Sequence, residues 1–158
     1  MPIYMQFDGI PGDATHETHK QWTDIEAIHW NVSRNMTTSA GSSANREASE
    51  PTCSNLVINK VSDSSSTKLF TEACTGKVGK TVTIHLVTTG SPGETYIEYI
   101  LTNTLVASYS VDSSGDRPVE TVQLNFTKME VKYIPHDENH QPMSPMVASY
   151  DLATTVAA

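Results

Sequence analysis

The stretch HETHKQWTDIEAIHW, residues 16 to 30, sets three of the chain's six histidines among acidic residues and both tryptophans. Neutral imidazole is a common metal ligand and the usual general base near neutral pH, so a metal or acid–base site is the first chemistry to test. A zinc-protease helix needs two histidines four residues apart with a glutamate between them. His16 and His19 are three apart, and the spacing predicts that they flank a turn. PHDENH (135 to 140) groups His136 and His140 with Asp137 and Glu138, but a polar run bounded by proline reads as a solvated loop, and no fourth ligand suggests itself. GKVGKT (76 to 81) has the look of a phosphate-binding loop. The position five residues before its second glycine is Cys74, and a helical pattern precedes it where a strand is required. The many serines lack a nucleophile-elbow glycine pattern, and neither Cys53 nor Cys74 has an obvious histidine partner in sequence. No catalytic residue, metal site or cofactor is expected; the chain reads as a non-enzyme.

Composition narrows the alternatives. With 158 residues and 37% hydrophobic content, the chain forms one domain, 1–158, that buries its own core. A formal charge of −8 repels phosphates and anionic lipid, so no nucleic-acid partner is expected. No apolar run approaches the about 20 residues a membrane helix needs, so no membrane insertion is expected. The N-terminus MPIYMQFDGIPGD lacks the charged and apolar regions of a signal peptide, which predicts a chain that starts in the cytosol. There, Cys53 and Cys74 are expected as free thiols, and the sequons at Asn31, Asn35 and Asn125 as chance matches.

The elements that must position these residues are mostly strands. IYMQF (3 to 7), AIHWNV (27 to 32), SNLVIN (54 to 59), KTVTIHLVT (80 to 88), TYIEYILT (95 to 102), LVASYSV (105 to 111) and VETVQLNF (119 to 126) alternate or concentrate β-branched and aromatic residues. From Val119 to Tyr133 the apolar phase switches, which predicts a bend or bulge near Thr127 and Lys128. In SDSSSTKLFTEACTGK the residues Leu69, Phe70, Ala73 and Cys74 recur at helical spacing, with Ser or Asp caps before them and Gly76 at the expected C-cap. One short helix is expected over about 64–75. Residues 34–51 have almost nothing apolar to bury and predict a long protruding loop or hairpin. In AIHWNVS, His29, Asn31 and Ser33 fall in the phase opposite to Ile28, Trp30 and Val32, so they face away from the core. Thr83, His85, Gln123 and Asn125 suggest the same kind of polar face, suited to a water-filled lumen.

The order of IYMQFDGIPGDAT, HKQWTDIEAIHW, REASEP, NKVSDSSSTKLFTEACTGK, YIEYILTNTLVASYS, GDRPVETVQLNFTKMEVKYIP and ASYDLAT resembles the haemolysin-coregulated protein (Hcp) family, the tail-tube proteins of bacterial type VI secretion. Its most specific pieces are the IPG turn followed by a histidine, the Asp-Ser-Ser helix start, and RP-x-E-x-x-x-L-N-F. Thr67 stands where many members have proline, and VASYS replaces a commoner V-S-S run. The resemblance implies a mainly β chain: a small two-sheet β-barrel with one short α-helix. It implies a homo-hexamer whose rings stack into the tube, with sheath, spike, baseplate and effector proteins as partners. Such a subunit assembles in the cytoplasm and is then expelled by the machine. His29, Asn31 and Ser33 become lumen-facing candidates. The loop's Thr37, Ser42, Arg46, Glu47 and Glu50 become candidates for contacts between subunits or rings, with the loop ordering on assembly.

Two readings of other classes stay open on the residues alone. A metal-dependent hydrolase would use the His16/His19 cluster and carry stoichiometric metal. A monomeric ligand-binding β-sandwich would suit the Ser/Thr/Asn-rich composition, and would need exposed aromatics as a platform.

Overall fold

The computed structural model describes residues 1–41 and 46–158. Its elements are β1 (Ile3–Phe7), β2 (Thr23–Ile25), β3 (Ala27–His29), β4 (Val32–Ser33), β5 (Met36–Thr37), β6 (Glu47–Ala48), β7 (Thr52–Cys53), β8 (Leu56–Val61), α1 (Ser66–Thr75), β9 (Lys80–Val87), β10 (Thr95–Asp112), β11 (Val119–Asn125), β12 (Lys128–Tyr133), β13 (Met146–Asp151) and β14 (Val156–Ala157).

The architecture is a small two-sheet barrel organised by one bent hairpin. β10 runs for 18 residues, where the alternation alone suggested two strands. Its first half pairs with β9 on one side and β12 on the other, and its second half with β11. The ladder shifts between Leu101 and Thr104 and again between Val106 and Ser108. Asn103, between them, adopts φ 55°, a left-handed conformation asparagine tolerates better than most residues. The phase switch expected near Thr127 lies opposite, where the chain passes from β11 to β12 and the Thr127 N–H donates to the Thr102 carbonyl. Both strands bend together, so the first sheet holds β2, β1, β9, β10, β12, β13 and β14, and the second holds β10, β11, β8 and β3. The two sheets meet again where Glu26 alone separates β2 from β3; its N–H donates to the Asn59 carbonyl of β8. The hydrogen-bonded ladders do not close into one continuous cylinder.

Alternation puts Met5, Phe7, Leu56, Ile58, Val82, Ile84, Leu101, Val122 and Leu124 into the shared interior, all essentially inaccessible to solvent. The inward phase of β8 and β11 also carries Lys60 and Glu120, both fully buried and directly across the ladder from each other. They form an ion pair, and Lys60 Nζ also reaches Asp63 Oδ1 at 3.0 Å. Ser66 of α1 donates its hydroxyl to Glu120 at 3.0 Å, and the Tyr109 hydroxyl of β10 donates to the other carboxylate oxygen. Burial, then the hydrogen bond to Glu120 and its charge, push the Tyr109 hydroxyl up to about 12.

α1 starts two residues later than expected. Its entry is held by distant and local carboxylates: Asp13 accepts from the Ser64 hydroxyl at 2.6 Å and Asp63 from the Ser65 N–H at 2.9 Å. Leu69 is buried, but Phe70 and Cys74, assigned by spacing to the buried stripe, are exposed; a ten-residue helix on the barrel's end has a narrow buried face. Gly76 does not adopt the left-handed cap conformation (φ −61°, ψ 122°); glycine is needed because a Cβ would fall 2.6 Å from the Glu72 carbonyl oxygen. Gly79 of the loop-like GKVGKT stretch is likewise a close-approach glycine, packed on Asn103. Both cysteines are free.

A buried charge left without its partner is costly, whereas an apolar pair of similar size is tolerated. Glu120→Gln is expected to lower unfolding free energy by about 3–5 kcal/mol. Lys60→Met with Glu120→Leu is expected to cost less than that single change, as measured by urea denaturation.

Candidate functional site

The outward phase of the second sheet is a polar surface with few charges. Because β8 and β11 turn Leu56, Ile58, Lys60, Glu120, Val122 and Leu124 inward, they turn Val57, Asn59, Thr121, Gln123 and Asn125 outward. The ladder aligns His29 with Val57, Val57 with Gln123, and Gln123 with Ser108; a second row runs Ala27, Asn59, Thr121, Ser110. Thr121 donates to the Asn59 side chain at 2.9 Å, and Asn125 to Asn55 at 3.1 Å. Among the described residues paired in these ladders, the outward phase carries one acid, Asp112, at the far end, and no Lys or Arg; Glu26 and Arg117 border it beside Val61. A chain of formal charge −8 thus presents a nearly uncharged face whose amides and hydroxyls are partly paired with one another.

His29 lies on this face and is exposed; Asn31 and Ser33 are exposed just beyond it. The expected strand 27 to 32 breaks at Trp30, whose indole turns inward to stack edge-on with Tyr99 at 5.7 Å. Gln123 and Asn125 join His29 as expected. Thr83 and His85 do not: they lie in β9 of the first sheet, away from the second sheet's face.

The segment expected to protrude is a hairpin, with β4 paired to β7 and β5 to β6. Thr37, Arg46 and Glu50 are exposed on it, Glu47 lies in β6, and Ser42 lies outside the described residues. At its base, Trp30, Val32, Pro51 and Cys53 face Met129, Val131 and Tyr150 across an apolar groove of about 280 Å³. Beside it, β14 and Ala158 cover Ser149, Tyr150 and Asp151 of β13, and Met146 and Val147 are exposed along the remaining edge.

The histidine cluster is built by a strap, residues 11–22, folded over the outer side of the first sheet. Gly12 and Ala14 N–H groups donate to the Gln21 and Trp22 carbonyls, and a Cβ at Gly12 would collide with the Trp22 carbonyl. His19 is buried, stacked on Tyr4 at 4.8 Å and edge-on to Trp22. Its Nδ1 lies 3.0 Å from His16 Nδ1 and its Nε2 lies 2.9 Å from His85 Nδ1. His85 Nε2 is 2.5 Å from Glu98, which also pairs with Lys132 at 3.1 Å. Burial first, then the neighbouring His85 and His16, push His19 down to about 4. Burial alone would raise Glu98, but hydrogen bonds from Lys132 and His85 hold it below the usual range. His19 spends both ring nitrogens in opposite directions, and among the described residues no three His, Cys, Asp or Glu side chains are grouped to hold a metal ion. The sequence pointed to His16 and His19 but not to His85, whose nearest signal was its place in the outward phase of β9.

Among solved structures, one described as a type six secretion system protein superposes with a TM-score of 0.91 at 23% identity, over 99% of each chain. Hcp1 from Salmonella typhimurium superposes at 0.80 with 24% identity, over 99% of this chain and 98% of that one. A type VI secretion system effector from Yersinia pestis superposes at 0.75 with 22% identity, over 94% and 98%. At these identities the likeness shows the fold: this two-sheet barrel with its helix and hairpin is that of Hcp proteins of type VI secretion. The family model "Type VI secretion system effector, Hcp" matches residues 4–133, and the chain belongs to that family. No curated protein sequence matches the chain. Among the described residues no helix is long and apolar enough to cross a membrane.

The His19 shift sets a pH dependence. The unfolded chain takes up the proton near pH 6.5 and the folded chain only near 4, so this contribution is complete above 6.5 and is lost as pH falls through that window. Between pH 7 and pH 5 the wild type should lose about 2 kcal/mol more unfolding free energy than His19→Asn. Denaturant titrations of both proteins at the two pH values check this.

Proposed function

We propose that the chain is the structural tube subunit of a type VI secretion machine. Six copies close into a ring, rings stack into the inner tube, and the tube is expelled from the cell with effector proteins in its lumen. The observation that carries this reading, beside family membership, is the nearly uncharged outer face of the second sheet. A lumen wall must let folded cargo lie against it without trapping it. A surface of paired amides and hydroxyls, with no Lys or Arg among the described residues, meets that need; a patterned charge surface would select by sign. In the ring, His29, Asn31 and Ser33 line the lumen, placing six imidazoles around the cargo path.

Unpaired strand edges support the same reading. An edge with exposed Met146 and Val147 invites uncontrolled pairing in a monomer, and a closed ring covers such edges with the neighbouring subunit. The hairpin reaches the adjacent subunit or ring, with Thr37, Ser42, Arg46, Glu47 and Glu50 as contacts, and sheath, spike and baseplate proteins engage the assembled tube. The subunit is cytoplasmic during assembly, then secreted, and performs no catalysis.

Native mass spectrometry of the purified chain tests this directly. A metal-free species at six times 17.2 kDa is the expected result. A monomer that stays monomeric at high concentration contradicts the tube, and stoichiometric zinc revives the hydrolase reading.

A further inference from the structure

The tube reading gives no role to the three touching histidines that join the strap to β9. With all three rings neutral, their hydrogen bonds admit one consistent set of tautomers, assigned from the network itself. Glu98 is an acceptor held by Lys132, so His85 must donate from Nε2 and keep a lone pair on Nδ1. His19 then donates from Nε2 to His85 Nδ1, leaving its own Nδ1 as acceptor for His16 Nδ1–H and the Thr18 hydroxyl, at 3.0 and 2.9 Å. Donation therefore runs one way along the row, from the strap to the carboxylate. His16 Nε2 is left as the one free base.

We propose that His16, His19, His85 and Glu98 form a one-proton relay that latches the strap to the barrel and stays closed through mild acidification. One proton binds His16 Nε2, and its Nδ1 proton is given up so that it becomes the acceptor. His19 changes from the Nε2–H to the Nδ1–H tautomer and donates to His16. His85 gains Nδ1–H, donates to His19, and keeps Nε2–H on Glu98. Three ring protons become four, every hydrogen bond survives with the two between the rings reversed and the one from His85 to Glu98 unchanged, and the positive charge rests on His85 against Glu98. The hydroxyls of Thr18 and Thr95, the latter 3.3 Å from His85 Nδ1, rotate between donor and acceptor and so accept either state.

The surroundings favour this over separate charging. Tyr4 of β1 stacks on His19 and lies 5.1 Å from His16, Asp24 of β2 lies near enough to feel the His16 charge, Glu98 comes from β10 and Lys132 from β12. Glu17 and Lys20 of the strap are exposed. A carboxylate faces His85; His19 is buried between rings with none, so a charge on His19 has no partner. The strap's other tether is Asp13 on Ser64, at the start of α1. Loss of the relay would leave the strap held by that contact and by Ala14 and Trp22, packed with Tyr4 and Val87.

Nitrogen-15 histidine spectra from pH 8 to 4.5 test the relay on the intact chain. At pH 8 His16 is expected as the Nδ1–H tautomer and His19 as Nε2–H; one proton is then taken up, with His19 staying neutral but switching to Nδ1–H. Charging of His19 together with His16 and His85, or His16 as Nε2–H at pH 8, overturns the proposal. Glu98→Gln keeps the shape but removes the anion. It should abolish the His19 tautomer switch, and at pH 5 the strap amides of Ala14 and Gln21 should exchange about tenfold faster than in wild type after intrinsic-rate correction. Unchanged switching and protection in that variant would also overturn it.

Discussion

The buried pair of Lys60 and Glu120 governs which way the second sheet faces. Two full charges inside a barrel are tolerable only when they meet, and they meet only in the register that sets Lys60 opposite Glu120. Because strand side chains alternate with period two, a slip of one residue would turn the inward set of the slipping strand outward. A slip that turned β11 alone would leave Lys60 buried without its partner and expose Val122. The same pair takes in Ser66 and Tyr109, so it also locates the helix end and the second half of β10. An apolar pair would bury as comfortably, yet would not discriminate so sharply between registers.

The polar outer face is the other side of that constraint. Asn59, Thr121 and Gln123 are outward because their neighbours are inward, and the bent β10 hairpin carries the sheet past Ser108 and Ser110 to complete the surface. Most of the chain's charge lies elsewhere. Membership of the Hcp family places this arrangement in type VI secretion.

Much of this was legible in the residues. Period-two alternation located β1, β8, β9, β11 and β12, helical spacing located α1, and the apolar-poor run 34–51 announced the hairpin. His29's outward phase followed from Ile28 and Trp30. What escaped has a common cause: long-range partners. Lys60 reads as a surface residue until Glu120 stands across from it, and His85 joins His19 from 66 residues away. The brevity of β2, three residues, hid it; Gly76 holds the C-cap place its spacing predicted, its N–H donating to the Glu72 carbonyl, and both it and Gly79 are required by close approach. Phe70 sits beside Tyr109, 6.2 Å between ring centres, instead of in the core, because helical periodicity shows a stripe without showing its width.

Electron cryomicroscopy of the purified, concentrated chain bears most directly on the central claim. The account predicts a sixfold ring whose channel is walled by the second sheet, with His29, Asn59, Thr121 and Gln123 facing the lumen. A ring that turns this face outward, or particles that remain single barrels, would contradict it.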